Sequence, residues 1–170
     1  MARMRTAPEV DGSGGAAGFW LRWLQVALVL LMIASLVPLV FPGLARGAFA
    51  WLVYADADRF ATFAPEAVRY ASFLHGVLGA VMFGWAVALF LIVRGPLAAG
   101  RRDAWWVVTA SLVAWFIPGT TFSLASGVWQ NVVLDLLFMA AFALPLAATS
   151  GLRRSRGQRT SETSGKGTDG

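Results

Sequence analysis

One histidine, His75, and one aspartate, Asp135, stand inside long apolar runs that carry almost no other ionisable group. Asn131 lies four residues before Asp135, and Thr120, Thr121 and Ser123 cluster in the preceding run. A carboxyl, an imidazole, an amide and three hydroxyls could bind a small polar ligand or hand on a proton. The same groups could instead be hydrogen-bonding glue that fixes helix register. The residue types leave both uses open.

Many chemistries lack their residues altogether. With one histidine, a single chain cannot give a haem two axial imidazoles, although a homodimer could. The absence of cysteine removes disulfides, iron–sulfur clusters and thiolate metal sites. Metal-assisted hydrolysis needs several imidazole or carboxylate ligands, and only His75 and Asp135 lie within the apolar runs. No GxSxG, HExxH or phosphate-loop sequence occurs. Asp56, Asp58 and Glu66 sit among Arg59 and Arg69 and read as solvated loop charges. The expectation is a non-enzymatic chain with no catalytic residue, no metal and no cofactor.

The elements that must position these groups are four apolar segments, about 19–40, 71–93, 105–126 and 130–149. Each is close to the ~20 residues that an α-helix needs to cross ~30 Å of hydrocarbon. The chain of 170 residues is 58% hydrophobic and only 14% charged, with eight Trp and twelve Phe. So few charges could not cover a water-soluble fold of this apolarity. Lipid is the solvent that fits, and helices satisfy every backbone group internally, as lipid requires. The expected fold is all-α: a four-helix transmembrane bundle over 19–150, with helices about 19–40, 65–94, 104–126 and 130–149. The first segment exceeds the 7–15 apolar residues of a cleaved signal peptide, so it reads as a retained span.

Residues 1–18 and 151–170 are rich in Gly and polar residues, and read as disordered tails, the second one basic. Eleven of the fourteen Arg and Lys residues fall in the two tails, at Arg22 or in the 94–104 connection; the other three, Arg46, Arg59 and Arg69, fall in the 41–70 loop. The positive-inside rule then puts both termini on the cytoplasmic side. The net charge of +5 comes from these ends of spans and not from a basic, aromatic-interleaved surface, so nucleic acid is not an expected partner. The expected partners are the bilayer and either another membrane protein or a second copy of the chain.

In the 41–70 loop, Phe49, Trp51 and Tyr54 precede Asp56 and Asp58. This pattern predicts a short helix lying in the outer interface, aromatic side down. Pro65 followed by Glu66 marks the start of the second span. Along that span Ser72, Gly76, Ala80, Gly84 and Ala88 recur every fourth position, which predicts a smooth helix-packing face. Pro118 should kink the third span. Trp85 and Trp115 read as core packing. At ~1.5 Å per residue, His75 lies about 6 Å and Asp135 about 7–8 Å inside the outer ends of the apolar segments that begin near 71 and 130. Shared depth predicts that they approach one another in one polar pocket with Asn131, Thr120, Thr121 and Ser123. The inner half offers only Gln25, Thr109 and Ser111.

The Gly-rich segment FLHGVLGAVMFGW (Phe73 to Trp85) and the hairpin FSLASGVWQN (Phe122 to Asn131) resemble small bacterial four-helix membrane proteins of the DoxX-like kind. The resemblance implies the same four-span architecture and brings no functional residue with it. Three functions stay open: subunit, scaffold or partner of another membrane protein; small oligomeric transporter or channel using the polar pocket; and membrane redox or quinone-linked subunit.

Overall fold

The computed structural model describes residues 12–165, and side chains within 15–149. Five helices follow one another: α1 (Gly12–Val40), α2 (Pro42–Tyr54), α3 (Pro65–Ile92), α4 (Arg102–Ala125) and α5 (Trp129–Gly165). A short 3-10 turn at Arg59–Thr62 precedes α3, and a π turn at Val93–Leu97 follows it. No strand occurs among the described residues. Four stretches, Gly15–Val40, Pro65–Leu97, Arg102–Ala125 and Trp129–Thr149, are long and apolar enough to cross a membrane.

The helix ends follow from local chemistry. Proline occupies the first turn of α2 and α3, where its missing N–H costs nothing. Glu66 adds a negative charge to the first turn of α3. α2 stops at Ala55, whose left-handed φ of 56° turns its N–H back onto the Trp51 carbonyl. Two residues past the end of α4, Gly127 turns the chain at φ +72°, with the Val128 N–H closing onto the Ser123 carbonyl at 2.9 Å. Glycine adopts that angle without strain, and the turn that results is short enough to lay α5 directly against α4.

The tails differ from expectation. α1 already begins at Gly12 and α5 continues to Gly165, so 12–18 and 151–165 are helical where disorder is expected; residues 1–11 and 166–170 lie outside the described residues. A nucleated helix gains one hydrogen bond per added residue, so an anchored span propagates into polar flanks. α4 runs through Pro118 as one helix.

α1 is the hub. It packs most extensively on α3 and next on α5; α4 packs on α5, while α3 and α4 meet in few places. At the crossing of α1 and α3, a Cβ on Gly79 would lie 2.5 Å from the Ser35 carbonyl oxygen and 2.8 Å from Leu39 Cδ1. Only glycine permits that approach. This corrects the expected packing face. Gly76 and Gly84 have nothing within 4 Å of a Cβ position, and Ala80, Gly84 and Ala88 are exposed. Positions four apart overshoot a 3.6-residue turn by about 40°, so a five-member stripe drifts by about 160° around the helix. The buried positions of α3 are Gly79, Ala86 and Leu89, continued by Val93 in the π turn, spaced by seven, three and four.

The end of the bundle with the 94–104 connection, here the tail end, holds the apolar core. Leu24, Leu28, Leu89, Val108, Leu112 and Phe142 are its main members. Tryptophan side chains bolt the helices together. Trp85 Nε1 donates to Ser111 Oγ at 2.7 Å across the sparse α3–α4 seam, and its ring stacks on Trp115, as core packing predicts. Trp105 Nε1 donates to the Leu146 carbonyl at 2.9 Å. Pro145, inside α5, has no N–H for the Ala141 carbonyl one turn back; Trp23 Nε1 of α1 donates to that oxygen at 3.1 Å.

Candidate functional site

The opposite end, here the α2 end, carries the polar groups, and the fold sorts them into two clusters. The first is built by the α4–α5 hairpin. Asp135 is buried, 5% exposed. Its Oδ2 accepts from Thr120 Oγ1 at 3.2 Å and from Asn131 Nδ2 at 3.3 Å. Asn131 Nδ2 also donates to Ser123 Oγ at 2.7 Å, and Ser123 passes its own proton to the Gly119 carbonyl at 2.8 Å. Four of the six expected pocket residues therefore form one chain of hydrogen bonds joining two helices.

Thr121 does not join it: exposed, it donates to the Ile117 carbonyl of its own helix. His75 is the larger correction. Its ring stacks on Phe49 of α2, centroids 4.1 Å apart and planes 6° from parallel, with the edge of Phe60 at 6.2 Å. Its Nδ1 is buried without a hydrogen-bond partner. No hydrogen bond or ion pair links it to Asp135. α3 and α5 both pack on α1 and hardly touch each other. Equal depth fixes a height in the bilayer, but not an azimuth around the bundle. The imidazole packs against α2 and the carboxyl bonds to α4, so the two belong to separate clusters.

Phe49 and Phe60 were not among the expected site residues. Their only signal is membership of an aromatic-rich loop; which ring turns inward depends on how α2 folds back on α3. Part of the loop does follow expectation, since α2 is the short helix predicted there, with Trp51 and Tyr54 exposed. Arg46 of α2 donates from Nη1 to Ser72 Oγ of α3 at 3.2 Å, one turn from His75. Ser72 thus acts through its hydroxyl and not as a small packing residue.

The arrangement can do limited chemistry. Among the described residues no three His, Cys, Asp or Glu side chains come together. The Asp135 cluster is a buried carboxyl with local donors; the His75 cluster is an imidazole in an aromatic slot. No more than 28% of the most apolar window of any span is buried inside the fold, so the remaining apolar surface must face lipid or another membrane helix. The class is therefore a multi-pass membrane protein with a four-span helical bundle. The chain matches no known protein family, no characterised protein and no solved structure with which it was compared.

Proposed function

We propose that this chain is a non-enzymatic subunit or partner of another membrane protein, docking through α3. One observation carries the reading: Ala80, Gly84 and Ala88 turn a smooth, unfilled face away from the bundle, with open space around a Cβ at Gly84. Close helix approach in lipid relies on such small residues. The polar chain of Asp135, Asn131, Ser123 and Thr120 fits the glue role, since its bonds are spent on holding α4 to α5. The distribution of arginine supports termini on the cytoplasmic side, and the resemblance to small bacterial four-helix proteins is what favours a bacterial inner membrane.

Native-mass measurement in a mild detergent, with identification of what travels with the protein, tests the reading. Gly84→Leu should leave the chain folded and strip away the companion, whether another protein or a second copy. Gly79→Leu should prevent folding. A chain that travels alone with Gly84 intact, or keeps its companion in Gly84→Leu, would overturn the proposal.

A second reading, a small transporter or channel, draws on one observation: the Asp135 carboxyl is buried with no cation in ion-pair range among the described residues. Such groups in membrane spans often mark ion paths. It requires a pH-dependent flux in proteoliposomes that Asp135→Asn abolishes.

A further inference from the structure

An open groove of about 910 Å³ runs between α1, α2 and α5. Its walls include Leu31 and Ala34 of α1, Gly43, Gly47 and Leu52 of α2, and Leu134 of α5, and almost all of the lining is apolar. The hollow exists because α2 presents hydrogens where side chains would fill it. A Cβ at Gly43 or Gly47 would meet nothing nearer than 3.8 Å. Leu31 lies nine residues before the end of α1 at Val40, a rise of ~13–14 Å. Half of a ~30 Å hydrocarbon layer is about the same distance. The groove thus spans one leaflet, from the level of α2 to near the bilayer midplane.

Beside Gly43, one of the lining residues, lies a cation with no ion pair among the described residues. Arg46 is half-buried; its Nη1 is tied to Ser72, and its Nη2 lies 3.8 Å from the Cβ position of Gly43 in the groove wall. The one ion pair among the described residues, Arg101–Asp103, is at the other end of the molecule. A guanidinium beside the α2 end of an apolar groove about one leaflet long suits a phosphate joined to an acyl chain. We propose that this groove is a binding site for one anionic phospholipid, its chain between α1, α2 and α5 and its phosphate on Arg46.

The test is native mass spectrometry of the full-length protein in a non-ionic detergent, supplied with phosphatidylglycerol or phosphatidylcholine of identical chains. The wild type should retain one phosphatidylglycerol, favoured about fivefold over phosphatidylcholine, the scale of one arginine at a membrane surface. Arg46→Gln should erase that preference while still retaining a lipid. Gly47→Leu should abolish retention of both by filling the groove from α2. Ala34→Leu fills it from α1 and gives the same answer should the α2 variant fail to fold. Retention of several lipids without preference, or retention unchanged in the folded filled variants, is ordinary annular lipid and overturns the proposal. So does equal competition by glycerol phosphate, which has no chain.

Discussion

The two ends of the bundle are held by different forces. At the tail end, Leu24, Leu28, Leu89, Val108, Leu112 and Phe142 interlock with no polar group among them. At the α2 end the contacts are a hydrogen-bonded carboxyl, a stacked imidazole, a glycine crossing and a groove. In lipid, leaving the solvent gains an apolar side chain nothing, so the tail end holds by close packing pinned by the indole hydrogen bonds of Trp23 and Trp105. It is continuous and leaves little room. The α2 end is made of separate local devices with space between them. A site is expected where packing is interrupted, and both the polar cluster and the groove lie there.

The contrast can be attacked from either end. Leu112→Ala removes a fully packed side chain and should cost about 2–5 kcal/mol, read as a large fall in thermal stability in detergent. Asp135→Ala leaves the Thr120 and Asn131 donors without their acceptor and should cost about 1–3 kcal/mol. Thr120→Val deletes a single bond of that cluster, and about 0.6 kcal/mol is the average for such bonds between membrane helices. If Thr120→Val matched Leu112→Ala in thermal scans, the division between the two ends would collapse. The smallest effect is a gain: Ala55 holds a left-handed φ that glycine adopts freely, so Ala55→Gly should raise the thermal stability by about 0.5 kcal/mol, the strain relieved less the entropy glycine adds to the unfolded chain.

What the sequence discloses follows the range of the contact. The four spans, the start at Pro65 and the short α2 are legible because length, charge and proline act locally. Asn131 and Asp135 are one turn apart, and the tight turn at Gly127 returns α5 beside α4, so their meeting with Thr120 and Ser123 follows from depth and neighbourhood together. His75 needs a third quantity, the rotation of α3 about its own axis, and no local pattern encodes it. The same ignorance moved the packing face from Gly79 to a stripe that spirals outward. The helical continuations over 12–18 and 151–165 were hidden because composition measures what a segment can bury, not what an adjoining helix can extend.

The bond from Trp23 to the Ala141 carbonyl has a consequence for how the protein is made. A ribosome delivers α1 before α5, and α5 enters lipid with one backbone oxygen that Pro145 has stripped of its usual donor. Among the described residues, the Trp23 indole of α1 satisfies it. Assembly therefore closes like a clasp, with α1 waiting for α5, and a chain without α1 or one cut after α4 would lack half of its fastening.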